Sequence, residues 1–156
     1  KYMGLSGYTE YHASQVELMI LLNAKSINSD ISFSMNQTIE TFAGKKTVQD
    51  YVMMKYQQAV KLFGRPDFPT DIATLKTAVG VWYNYLGLRS ICEKYAVDYE
   101  VHEDDNGIFM NFISSPFFVT TNNLMHGWLE ESIIKQECIL LYINTIMPIV
   151  KNYHLI

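Results

Sequence analysis

Four groups of residues in this 156-residue chain have types and spacing that could do chemistry. The first is Glu100, His102 and Asp104 with Asn111, which share one face if residues 96–114 form a β-hairpin. A histidine between carboxylates can act as a general base or as a metal ligand. The second is His126 with Glu130, one helical turn apart, a spacing that can set two ligands on one metal. No HExxH accompanies it, and the sequence offers no third ligand. The third is Glu10 with His12, flanked by Tyr8 and Tyr11. The fourth is Cys92 or Cys138 as a nucleophile, which would need a base brought close by the fold.

Each group also has a plainer reading: a solvated sheet face, a surface pair, a polar helix start and two buried thiols. Short patterns match by chance often enough that the plainer reading is preferred for all four. The chain has no GxGxxG, no GxxxxGK followed by Ser or Thr, and no GxSxG. An enzyme therefore ranks third among the functions considered, and no cofactor is expected.

The element that would position the first group carries the strongest local signal. Residues 96–114 alternate in polarity, and Asn106-Gly107 suits a two-residue turn that needs positive φ at both positions. Centring the turn there sets Val97, Tyr99 and Val101 beside Ile108, Met110 and Phe112 on one face. The second strand, Ile108 to Ile113, is apolar on both faces and needs a cover. A lone two-stranded hairpin is marginal in water, so it must pack on helices or join further strands, which a second copy could supply.

Almost everything else reads as helix. Residues 1–8 are expected to be irregular, with a first helix capped by Thr9 or Ser14; Ser14-Gln-Val-Glu17 fits a capping box. Val16 and Leu18 to Leu22 make that helix apolar nearly all round. Ile31, Met35, Ile39 and Phe42 recur at helical spacing and predict a second helix ending at Gly44, although Ile31, Phe33 and Met35 also alternate as in a strand. Thr47-Val-Gln-Asp50 starts a third helix that runs through Phe63 to Gly64. Arg65-Pro-Asp-Phe-Pro69 breaks the chain. From Thr70, the stripe Ile72, Leu75, Val79, Trp82 and Leu86 predicts a fourth helix. Gly87 is expected to break it before a short helix from Leu88 to Tyr95. A last long helix is expected from Thr120–Asn123 to Val150, kinked or ended by Pro148. The predicted class is α+β: a predominantly helical single domain, residues 1–156, with a small antiparallel sheet built on the hairpin near 96–114. Beginning at Lys1, it reads as a fragment of a longer protein.

Composition bounds the function. Hydrophobic residues make up 49% and charged residues 18%, which favours a packed core over disorder. The net charge is −4 and no Lys/Arg cluster occurs, so direct nucleic-acid binding by this segment is not expected. Two cysteines suit reduced thiols in an intracellular, cytoplasmic protein. The most apolar run, Cys138 to Val150, is too short to span a bilayer.

What stands out is 11 Tyr, 8 Phe, 8 Met and 2 Trp. Trp82, Tyr83, Tyr85, Met110, Phe112 and Trp128 are the expected lining of an apolar pocket with polar handles. The leading expectation is a non-enzymatic sensory or regulatory domain that binds a small, largely apolar molecule. The rival is an adaptor or dimerisation module, with the same aromatics at a protein interface and a homodimer as its simplest form. Thr74-Leu-Lys-Thr-Ala78, the Tyr-rich helix after it and the strand-turn-strand resemble ligand-sensing domains of AraC-type regulators. The helix-hairpin-helix order is similar to small bacterial sensor domains of the 4-vinyl-reductase type. Neither resemblance covers more than about a third of the chain. Both would imply sensing.

Overall fold

Helices meet closely only where their facing residues are small, and two glycines here set the packing of the longest pair. The structure is a computed structural model that describes residues 2–26, 31–100, 136, 139–140, 143 and 146–155. In chain order the elements are α1 (Tyr2–Leu21), β1 (Thr38–Thr41), β2 (Gly44–Thr47), α2 (Val48–Phe63), α3 (Ile72–Tyr95) and α4 (Met147–Asn152). The protein is mostly helical with a small two-stranded antiparallel sheet, as its class predicts. α3 packs against both α1 and α2. Leu75, Ala78, Val79, Trp82, Tyr83, Tyr85, Leu86 and Leu88 of α3 are buried, with Tyr11 and Leu18 of α1 and Tyr51, Ala59 and Phe63 of α2.

α3 runs unbroken through Gly80 and Gly87, against the expected break. A Cβ on Gly87 would collide with the backbone carbonyl oxygen of Tyr11 and come within 3.1 Å of Ser14 Cβ. The glycine is therefore a contact point for α1 and not a helix end. α1 likewise starts at Tyr2, far ahead of the expected caps, so residues 2–8 are helical and Ser14 is internal. At Gly7 a Cβ would stand 2.9 Å from the Tyr83 ring. Docking onto α3 thus outweighs the roughly 1 kcal/mol of helix propensity that each interior glycine forfeits. α1 ends in a Schellman motif, in which the Ala24 amide donates to the Met19 carbonyl (2.9 Å) and Asn23 to Ile20 (2.9 Å). Asn23 takes the required positive φ of 58°.

The sheet lies at Thr38–Thr47, where the apolar spacing predicted a helix. Thr38, Ile39 and Thr41 are β-branched and favour a pleated surface, and Ile39 is buried while its neighbours Thr38 and Glu40 are exposed. Thr41 pairs with Gly44 across Phe42-Ala43, and Gly44 has φ +94°. Phe42 is not a core residue at all; it is 93% exposed at the tip.

α2 matches its expected bounds. Thr47 Oγ1 accepts from the Asp50 amide (3.0 Å), and Gly64 closes the other end with its amide on the Val60 carbonyl (2.8 Å). The Met35 and Gln37 carbonyls take the Gln49 (2.8 Å) and Val48 (3.0 Å) amides, so the loop before the hairpin satisfies two of the helix's first N–H groups. For α3 the cap is Asp71, one residue after the expected Thr70; its carboxylate accepts from the Thr74 amide at 2.7 Å. That bond draws the Asp71 carboxyl below the usual carboxylate range. Ile72, expected in the core stripe, is 41% exposed.

Beyond α3 the chain does not enter a strand over 97–100. Ala96 forms one parallel bridge to Phe33, and Val97 donates to the Phe33 carbonyl at 3.0 Å. Val97, expected on the apolar face of the hairpin, is exposed. The Asp98 carboxylate accepts from Ser34 Oγ (2.7 Å) and the Met35 amide (2.8 Å). The remainder of the expected hairpin, residues 101–114, lies outside the described residues, as do the expected caps at Thr120–Asn123. Pro148 sits in the first turn of α4, where its missing N–H costs nothing; most of the long helix expected before it lies outside the described residues.

The Gly87 contact yields a direct test. Gly87→Ala gains helix propensity but must push two backbones apart, and overpacking of this kind costs about 1–3 kcal/mol. A net loss of about 2 kcal/mol, or about 6 °C in Tm, is expected. A melting temperature at or above the parent's would contradict this packing.

Candidate functional site

Positions 8, 11, 12 and 15 of α1 fall on adjoining helical rows, and they carry Tyr8, Tyr11, His12 and Gln15. Tyr8, Tyr11 and His12 are buried. The His12 ring stands edge-on to Tyr8, with centroids 4.3 Å apart, and to Tyr11 at 5.2 Å. His12 Nδ1 lies 2.8 Å from Gln15 Oε1. The Gln15 amide donates to the Tyr11 hydroxyl (3.1 Å) and to Ser90 Oγ of α3 (2.8 Å). Ser90 in turn donates to the Gly87 carbonyl at 2.7 Å. Since an amide oxygen can only accept, this geometry assigns the proton to His12 Nδ1.

Burial sets the charge state of the cluster. It lowers the His12 pKa, with the Gln15 bond offsetting part of the effect. It pushes the Tyr11 phenol up to about 12, with the Ser90 bond opposing and the Glu93 charge adding. At neutral pH both are uncharged, which suits hydrogen bonding in a low-dielectric setting and not ion binding. Among the described residues no three His, Cys, Asp or Glu side chains stand close enough to hold a metal. Glu10 and His12, read as one group, point to different surroundings, since Glu10 belongs to a groove on the α1–α3 surface.

That groove, about 410 Å³, is lined by Ser6 and Glu10 of α1 and by Ala73, Lys76, Thr77, Gly80, Val81 and Asn84 of α3. The Asn84 amide nitrogen, in the orientation that satisfies its neighbours, donates to Ser14 Oγ (2.8 Å), the Glu10 carbonyl (3.1 Å) and the Glu10 carboxylate (3.0 Å). Sequence reasoning missed Lys76 and Asn84. The available signal was Lys76, Gly80 and Asn84 at i, i+4 and i+8, a row along one face of α3.

Of the six residues expected to line an apolar pocket, Trp82, Tyr83 and Tyr85 are buried on α3. Trp82 and Tyr85 pack at 5.3 Å between centroids, and Tyr56 of α2 adds a third ring 5.2 Å from Tyr85. None of the three lines the groove. Met110, Phe112 and Trp128 lie outside the described residues, as do His102, Asp104, Asn111, His126, Glu130 and Cys138. Burial raises the Cys92 thiol to about 12, aided by the Glu93 charge, so it is a protonated core residue at neutral pH and not an activated nucleophile. The chain matches no family model, no curated protein and no solved structure.

The buried imidazole links stability to pH. A histidine whose folded pKa lies below its unfolded value of 6.5 binds fewer protons when folded. Its contribution is complete above that value and declines as pH falls below it. Urea midpoints should therefore drop between pH 7.5 and pH 5 by more in the parent than in His12→Gln. Identical pH slopes for the two proteins would show that His12 charges freely in the folded state.

Proposed function

We propose that this chain is a non-enzymatic sensory or regulatory domain that binds a small, largely apolar molecule beside the aromatic layer of α1 and α3. The observation that carries this reading is the Tyr8 hydroxyl. Tyr8 is 7% exposed, and its oxygen is buried with no hydrogen-bond partner among the described residues. A buried hydroxyl left unpaired costs about 1–3 kcal/mol, and a ligand bearing one polar atom on an apolar body would recover that. The neighbouring His12 and Tyr11 rings supply the apolar wall. Binding regulates only through unequal affinity for two arrangements of the helices or subunits. A cytoplasmic setting and a homodimer complete the proposal. No helix among the described residues is long and apolar enough to cross a membrane.

Native mass spectrometry of the purified chain and a thermal-shift panel of phenol, indole and naphthol test this. At least one probe should raise Tm, and Tyr8→Phe should weaken its binding about tenfold, the worth of one buried hydrogen bond. No copurifying mass and no Tm rise with any probe would remove the basis of the proposal.

A second reading rests on a different observation. Phe42 presents a whole phenyl ring at the hairpin tip, and an aromatic anchor of this kind suits a partner's pocket. As a protein-interaction module, the chain would lose affinity for its partner or for itself on Phe42→Ser, while its melting temperature stayed constant.

A further inference from the structure

We propose that the groove between α1 and α3 binds a small zwitterion of the amino-acid class, its ammonium group at Glu10 and its carboxylate at Lys76. This goes beyond the apolar ligand proposed above and does not rest on it. The two walls are built independently. Ser6 and Glu10 are one turn apart on α1, while Lys76, Gly80 and Asn84 form a row along α3. Asn84 donates to the Glu10 carboxylate and to the Glu10 carbonyl, so the anionic group is held against the α3 wall. Lys76 is exposed and makes no ion pair among the described residues. It stands one helical turn from Gly80, about 6 Å along the axis. Gly80 itself faces Glu10, because a Cβ there would lie 3.8 Å from Glu10 Cγ. One cation and one anion thus flank the floor of the groove without neutralising each other.

Gly80 separates this groove from an accident of packing. Gly87 and Gly7 are required, since a Cβ at either would meet the opposite helix at clashing distance. At Gly80 the nearest atom would be at ordinary van der Waals range. Alanine would fit and would favour the helix. The packing therefore gives no reason for the glycine, whereas a bare floor beneath a ligand does. Ala73 and Val81 add apolar surface to the lining. A single anion or cation would face a like charge at one end, and a molecule carrying both would not. The volume lies within the range of small-molecule sites.

The test uses the full 156-residue chain and the free L-amino acids as probes, read by amide chemical shifts. At least one amino acid should shift the amides of Ser6, Glu10, Lys76, Gly80 and Asn84. Its N-acetyl and its C-amide derivatives should each bind about tenfold more weakly, as should the free form to Glu10→Gln and to Lys76→Gln. Gly80→Ala should raise Tm by about 3 °C while lowering affinity several-fold, opposite signs that general destabilisation cannot produce. The proposal is overturned if no amino acid shifts these amides at about 10 mM, a ceiling near the weakest useful affinity. It is equally overturned if capped and free forms bind alike, or if Gly80→Ala leaves affinity unchanged.

Discussion

The contact between Gly87 and the Tyr11 carbonyl governs how the two longest helices share space. Without a side chain at that point, α3 approaches close enough for polar side chains to bond across the interface directly. Asn84 reaches Ser14 and Gln15 reaches Ser90 only because the helices are so near. The same proximity strips water from Tyr11 and His12 and fixes both as neutral groups. A wider crossing would admit solvent, and the cluster would become an ordinary polar helix face.

α2 is tied to this pair from a different direction. Its Tyr51 hydroxyl donates to Glu17 of α1 at 2.7 Å, and its Tyr56 packs on Tyr85 of α3. Burial and the Glu17 carboxylate both raise the Tyr51 pKa. Three tyrosines, Tyr11, Tyr51 and Tyr85, thus use their rings to fill the core, and two of them use their hydroxyls to fix helix positions. The abundance of phenols in the composition reflects this double use as well as any ligand.

Legibility in the sequence followed the range of the deciding interaction. α2 could be read because its caps, Thr47 and Gly64, act within a few residues of the helix they close. The core stripe of α3 was legible for the same reason, through Leu75, Val79, Trp82 and Leu86. Gly7 and Gly87 misled because local propensity marks them as breakers, while their role depends on residues of the other helix. Ile31 to Phe42 misled because the spacing of four apolar residues fits a helix, yet Phe42 belongs to a turn. Of the candidate site, Glu10 was visible as a polar residue. Its partner Asn84 lies 74 positions away, and no local pattern announces a pairing of that span.

Asp98 joins Ser34 and Met35 across some 64 residues, closing a loop that contains the hairpin, α2 and all of α3. The entropy lost in closing a loop grows only with the logarithm of its length, so this long reach is less costly than it looks. Its difficulty is kinetic. Contacts of such high sequence separation are slow to form, because the loop-closure entropy is lost before they reward it. The bond to Ser34 is exposed and that to Met35 only part-buried, so these bonds are less protected than those of the core. Ser34 and Asp98 therefore mark the solvent edge of this junction, while Phe33 beside them is buried and ties it to the core.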